Sequence, residues 1–511
     1  MKTWAGLAIF LCASGAPSSA QPAEKPAPVY RITEVDSPAP ATAISPSFAR
    51  ADDGTVWLLW LEPAPSGQPA LRCATFDSPT QRWRAPQTIF TGRDWVLDVN
   101  DAPTLTAGSG GQLAAAWTAS AGGRREVLLS RSTDSARTWS APAPLAPENS
   151  SSGFPALTTL ADGRVLAAWL GSPANSTSTA LFARILDSSA HHDATLIAPR
   201  VNESSAPALV SFPDGSALLS YRGRTDDNVR DLHVAHFSRE SWTDSRALNS
   251  DLWRTPNSPA GSSPRLARDG GRVVAAWFTA ADDEPRILLS TSSDAGGNFL
   301  LPLKADLGRA TGPVDTVLLH DGAALMAWIE SPDPGKSAAN PGGLWLRRAT
   351  PQSSVDEPML ISPRGVEPTG HPRTVLLRDF SGDSFDAQLL VAYTSASGLH
   401  TLSVTVPEAD LLATATEACG CGGAPAQLIG FPFRGTLLTP LPAEGILVAQ
   451  HPALPGLLPA GTHRFRATPG VIASVAPGQE FIGHIEQRSG DWWLFDIRVL
   501  VAPPDQPRSR P

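Results

Sequence analysis

The stretch PALTTLADGRVLAAW, residues 155–169, decides the fold. It reads as a short apolar strand, an Asp-Gly turn, and a second apolar strand that ends in an aromatic; Asp-Gly between hydrophobic runs is a strong hairpin signal. The same phrase occurs as PSFARADDGTVWLLW (46–60), PTLTAGSGGQLAAAW (103–117) and PALVSFPDGSALLSY (207–221). Looser copies run from Pro264 to Trp277, Pro313 to Trp328 and Pro372 to Tyr393, which makes seven. Each is followed by a polar loop and a third strand, such as REVLLSRS (125–132) or PRILLSTS (285–292). Three or four short strands per unit of about 50 residues is the pattern of propeller blades, whose radial packing leaves only short edges. The spacing therefore predicts an all-β chain with a seven-bladed β-propeller, or a six-bladed one, over residues 28–410. PVYRITEV (28–35) supplies the strand that the last copy lacks and closes the ring.

The chain has 511 residues, 42% of them hydrophobic and 17% charged, the composition of a folded protein with a sizeable core. Its net charge of −9, with no basic block, excludes a phosphate-backbone partner and hence nucleic acid. MKTWAGLAIFLCASGAPSSA (1–20) carries Lys2, an apolar run from Trp4 to Ala13, and Ser18 and Ala20 placed for cleavage. It reads as a signal peptide that sends the product to the periplasm or outside the cell. No later apolar run approaches the roughly 20 residues of a membrane span. Of the four cysteines, Cys73, Cys419 and Cys421 lie beyond this segment, too few for a disulfide framework.

STDSARTW (132–139) and SSDAGGNF (292–299) resemble the Asp-box, or BNR repeat, S-x-D-x-G-x-T-W, of bacterial sialidase-like propellers. The first has Ala136 where the pattern has glycine, and the second has Asn298 and Phe299 for Thr-Trp. The resemblance implies a propeller whose ligand face lies opposite these turns. It also implies an arginine triad, a tyrosine nucleophile and an acid/base aspartate, the tyrosine being an exception to the two-carboxylate rule of glycosidases. The triad's first arginine belongs to an Arg-Ile-Pro motif, and here that place reads Ile44-Ser45-Pro46. Of Tyr30, Tyr221 and Tyr393, only Tyr393 falls in the nucleophile's order, and Tyr221 shows that tyrosine also fills the repeat's structural aromatic position.

YRGRTDDNVRDLH (221–233) is the densest charged cluster and falls in the loop after the second strand of the fourth copy. Arg222, Arg224 and Arg230 can chelate an anionic or glycan-like ligand there, since each guanidinium offers a fixed fork of donors. Asp226, Asp227 and Asp231 can equally neutralise them. Asp282, Asp283 and Asp315 are expected near the same mouth.

After a Gly/Cys linker (411–430), residues 431–501 change pattern and predict about five strands, a small OB-like β-barrel. HPALPGLLPAGTHRF (451–465) resembles the metal strand of periplasmic copper chaperones of the CusF type. It keeps His451, the turn at Pro455-Gly456, Pro459 and Phe465. The family's capping aromatic or methionine falls on Leu458, and its two methionines fall on Gly461 and His463. Soft thioethers select copper(I), whereas imidazole suits copper(II) and zinc. What remains is a candidate copper or zinc site of His451 and His463, with Cys419 and Cys421 as added thiolates, or a barrel that has lost its metal. Two classes of function stay open: a non-catalytic exported binding and metal-handling protein, or an exo-sialidase-type glycosidase acting on acidic sugars.

Overall fold

A computed structural model describes residues 30–500, except 408–430 and several shorter stretches, the longest of which are 255–262, 334–340 and 379–385. The signal-peptide, linker, Cys419, Cys421 and Pro455-Gly456 readings lie outside the described residues.

Among the described residues seven antiparallel sheets of four or five strands follow one another, then a closed five-stranded barrel. The seven sheets form a β-propeller. The first strand of each sheet touches the first strand of the next, and that of the seventh touches that of the first. Arg31–Val35 pairs antiparallel with Gly398–Pro407 and completes the seventh sheet, so strands from the two ends of the ring share one ladder. The closure expected of the N-terminal segment is present.

The hairpin phrase is visible in the chemistry of its turns. In three copies the aspartate accepts from the backbone N–H two residues on: Asp53 from Thr55 at 2.9 Å, Asp162 from Arg164 at 3.0 Å, and Asp214 from Ser216 at 2.9 Å. The glycine between them has φ of 83–86°, the left-handed region that glycine enters without steric cost. Each second strand lies between neighbouring sheets and is buried on both sides; Val56–Glu62 reads VWLLWLE and Ala324–Glu330 reads ALMAWIE for that reason. The terminal aromatics Trp60, Trp117, Trp169, Trp277, Trp328 and Tyr393 are among the largest fully buried side chains. Tyr221 fills the same place in the fourth sheet, stacked on His233.

The two S-x-D turns share one hydrogen-bond scheme. Ser132 donates to Asp134 at 2.8 Å, and Asp134 accepts from the amide and hydroxyl of Thr138 at 2.9 and 2.6 Å. Ser292 and Asp294 repeat it, with the Asn298 amide and side chain in place of threonine, both at 2.7 Å. Ala136 stands at φ 64°, a strained conformation that the equivalent Gly296 adopts freely. Trp139 and Phe299 pack against core clusters that each combine two neighbouring sheets.

The barrel runs Phe431–Leu441, Ile446–His451, Gly461–Arg466, Asp491–Leu500 and Glu480–Arg488 in spatial order. Phe433, Leu447, Phe465, Phe481 and Ile485 fill it. No described helix is long and apolar enough to cross a membrane.

Candidate functional site

The repeat brings one residue of every sheet to the same level. Ser47, Thr104, Ala156, Ala208, Arg265, Asp315 and Arg373 each pair across the first hairpin with the residue just before the terminal aromatic. All seven line one central cavity of about 310 Å³. Four of these positions are small and neutral; the fifth, sixth and seventh sheets contribute Arg, Asp and Arg in succession.

Asp315 is the centre of that polar half. Its Oδ2 accepts from the Thr374 amide at 2.6 Å and the Thr374 hydroxyl at 3.2 Å, while Oδ1 lies 3.8 Å from Arg265 Nε. Arg373, 7% exposed, also donates to the Pro372 carbonyl at 2.9 Å. Burial lowers the Arg265 guanidinium, against the pull of Asp315. Burial, with Arg265 beside it, brings Arg373 down to about 9. A side cavity of about 110 Å³ opens next to Arg373 and is lined by His371, Ser45, Gly370 and Thr394. His371 is 7% exposed, and its Nε2 finds no hydrogen-bond partner among the described residues. Burial, then Arg373 and Arg265, hold this imidazole well below its usual range, so it is neutral.

The fourth-sheet loop is arranged otherwise than its charge suggests. Arg222, 2% exposed, donates to the carbonyls of Arg230 and Phe278 at 2.7 and 2.6 Å, and its guanidinium lies 4.8 Å from the Trp253 ring centre. Arg230 is also buried and donates to the Asn228 side chain at 3.3 Å. Arg224 pairs with Glu203 at 2.9 Å on the surface, and Asp227 pairs with Arg254. The Asp231 carbonyl accepts from the Gly223 amide. The three arginines do not converge on one exposed point. Of the propeller candidates whose side chains are described, Asp315 alone lies in the channel; Asp283 is an exposed residue of a short 3-10 turn. Arg265, His371 and Arg373 were not singled out by the sequence reading, although two of them directly follow the repeat's proline.

Tyr393 is fully buried, its ring stacked on His400 at 4.9 Å, and its hydroxyl meets neither solvent nor a hydrogen-bond partner among the described residues. Burial, with Glu34 adding to it, pushes the phenol up to about 12.

In the barrel the two predicted histidines do meet. His451 Nε2 and His463 Nδ1 are 2.8 Å apart, with Phe433 and Phe465 against the His451 ring. This is a hydrogen bond between imidazoles. An ion bound by both, at about 2.0–2.1 Å from each nitrogen, needs them a few tenths of an ångström further apart and needs further donors. Among the described residues no third metal-ligating side chain joins the pair.

The sequence matches no protein-family model and no curated protein. Solved structures of similar fold include a lectin from Burkholderia pseudomallei (12% identity, TM-score 0.48, 70% of this chain and 98% of that one). An α-L-arabinanase from Penicillium chrysogenum is also similar (13% identity, TM-score 0.38, 71% and 93%). So is a sialidase from Streptococcus pneumoniae (10% identity, TM-score 0.39, 77% and 72%). Sialidase- and arabinanase-type β-propellers are thus its structural neighbours, weakly matched.

Proposed function

We propose that this is an exported, periplasmic or secreted, propeller that binds an acidic or glycan-like ligand in its central channel without hydrolysing it. The observation that carries this reading is the state of Tyr393. A nucleophilic tyrosine must reach substrate and shed its proton, and this phenol is enclosed and pushed up to about 12, away from ionisation. Ser45 in place of the motif's isoleucine, with Ile44 in place of its arginine, supports the same conclusion. The test is turnover of fluorogenic sialosides and arabinosides by the full mature chain. No turnover is expected, and Tyr393→Phe should behave as the parent. Turnover that Tyr393→Phe abolishes would establish the glycosidase reading instead.

A second reading concerns the barrel, where His451 and His463 bring two imidazole donors together. Two imidazoles suit copper(II) or zinc and do not fit the thioether set of a copper(I) chaperone; Cys419 and Cys421, outside the described residues, are proposed as the further donors. Metal analysis of the same sample tests it. About one equivalent, lost from the His451→Ala, His463→Ala double variant, is expected; only trace metal in the parent would end it.

A further inference from the structure

We infer that Ser395, His400 and Glu34 form a nucleophile–base–carboxylate triad that hydrolyses short-chain carboxylic esters, the acyl group seated in the side cavity beside His371. This activity stands apart from the channel reading, because it breaks an acyl bond and leaves glycosidic bonds alone.

The seventh sheet assembles the three residues through its register. Asp386–Ser395 and Gly398–Pro407 form a hairpin in which Tyr393 faces His400 and Ser395 faces Gly398, so Ser395 lies diagonal to His400 on one face. The closing strand places Glu34 opposite Leu402, on that same face and diagonal to His400 from the other side. With its proton on Nδ1, His400 accepts from the Ser395 hydroxyl at Nε2, 2.8 Å away, and donates to Glu34 Oε1 at 3.3 Å. Stacking on Tyr393 holds the ring in that orientation. The Ser397 hydroxyl stands 2.9 Å from the same Nε2, and its amide donates to Ser395 Oγ at 3.1 Å. Of the two serines only Ser395 lines the side cavity; Ser397 is exposed.

The cavity supplies what a serine nucleophile needs. The Thr369 amide donates to the Thr394 carbonyl at 2.7 Å, and a side chain on Gly370 would collide with Thr394 Oγ1. The chain leading to His371 therefore lies against the strand that ends in Ser395, and both residues line one cavity of about 110 Å³. His371 Nε2 is buried and finds no hydrogen-bond partner among the described residues. Neutral imidazole with its proton on that nitrogen donates to an oxyanion. Ala41, Ala43, Ile44, Pro46 and Ala102 complete an apolar wall that suits an acetyl group and has no room for a long chain.

Ser395 Oγ attacks the acyl carbon as its proton passes to His400 Nε2, and the carbonyl electron pair moves onto oxygen. That pair returns as the bond to the alcohol oxygen breaks, and the alcohol leaves with the Nε2 proton. Water, deprotonated by the same nitrogen, then releases the carboxylic acid and restores the serine.

The test combines turnover and trapping on the full chain. The p-nitrophenyl ester of acetic acid should be hydrolysed, and that of octanoic acid, whose tail the cavity cannot hold, about tenfold or more slowly. A fluorophosphonate should attach to Ser395, located by peptide mass spectrometry. Ser395→Ala should lose that label and lower kcat/KM by about 10²–10⁴-fold, whereas Ser397→Ala should keep the label. Glu34→Gln should lower kcat about fivefold at unchanged KM, since a pair whose carboxylate is 62% exposed contributes little. His371→Leu should also lower kcat, and His371→Gln, whose amide donates, should restore part of it. A parent that neither takes the label nor exceeds buffer hydrolysis, a label on another residue, or turnover indifferent to Ser395→Ala overturns the triad. Equal turnover of the two esters overturns the cavity assignment.

Discussion

Truncating Arg222 to alanine should damage the fold, whereas truncating Arg224, two residues away, should leave it nearly untouched. Arg222 joins the fourth and fifth sheets through the Arg230 and Phe278 carbonyls and rests on Trp253. Hydrogen bonds from a charged donor contribute about 1.5–3 kcal/mol each. The stacked cation adds about 0.5–2 kcal/mol. Truncation also removes the cost of burying a guanidinium, several kcal/mol, but leaves two enclosed carbonyls without this donor. The expected net loss is about 3 kcal/mol, a shift on the order of 1 M in the urea midpoint. Arg224 and Glu203 are 37% and 46% exposed at their side chains, and such pairs contribute roughly 0–1 kcal/mol. Tryptophan-fluorescence unfolding of both variants beside the parent measures the difference. If Arg222→Ala melts with the parent, or if the two variants melt alike, the bridging role assigned to Arg222 is wrong.

Two further outcomes follow from the ring and its turns. A chain beginning at Ser37 lacks Arg31–Val35 and the buried side chains of Tyr30 and Val35, and should lose roughly 3–6 kcal/mol at about 1.5–3 kcal/mol per apolar side chain. It also bares the edge of Gly398–Pro407, so it should self-associate in light scattering; a monomer with unchanged melting would contradict the closure. The Thr138 hydroxyl and amide hold the Asp134 carboxyl at about 2, below its unfolded value of about 3.9. Because the folded value is the lower one, the turn's contribution is complete above about pH 4 and is lost as pH falls through about 2. A carboxyl NMR titration should show that midpoint and its rise in Thr138→Val, and an ordinary midpoint in the parent would remove the turn's role.

The fold was legible because each copy of the repeat solves the same packing problem and leaves the same residues behind: proline, Asp-Gly, aromatic. The closing strand was legible because the seventh copy stops one strand short. The barrel histidines were placed together by a resemblance, and the structure sets them 2.8 Å apart. The charged arc of the channel was not read, because local charge density is a poor guide to where charge is needed. YRGRTDDNVRDLH attracts attention by holding six charged residues in thirteen positions, yet its buried Arg222 donates to carbonyls, and on the surface Arg224 and Asp227 pair with Glu203 and Arg254. Arg265 and Arg373 look isolated in the chain, over a hundred residues apart, and only the ring makes them neighbours of Asp315.

A signal was nevertheless present in the copies themselves. Seven near-equivalent sheets around one axis give a channel whose wall is as repetitive as its sequence, and a repetitive wall has no reason to prefer one ligand orientation. Specific binding requires that the pseudo-symmetry be broken at the level where the ligand sits. The residue just after the repeat's proline reads Ser, Thr, Ala and Ala in the first four copies and Arg in the fifth and seventh; the sixth reaches the same level with Asp315, one residue later, past a register shift. That shift matters physically, because it brings an acidic side chain to the level of the two cations. Without it Pro313 would stand opposite Ala327, and two buried guanidinium groups would face each other across an apolar gap. Register shifts precede the same level in the first and third sheets as well, and in the sixth the shift sets the wall's excess at one positive charge rather than two, which lowers the cost of the buried guanidinium pair.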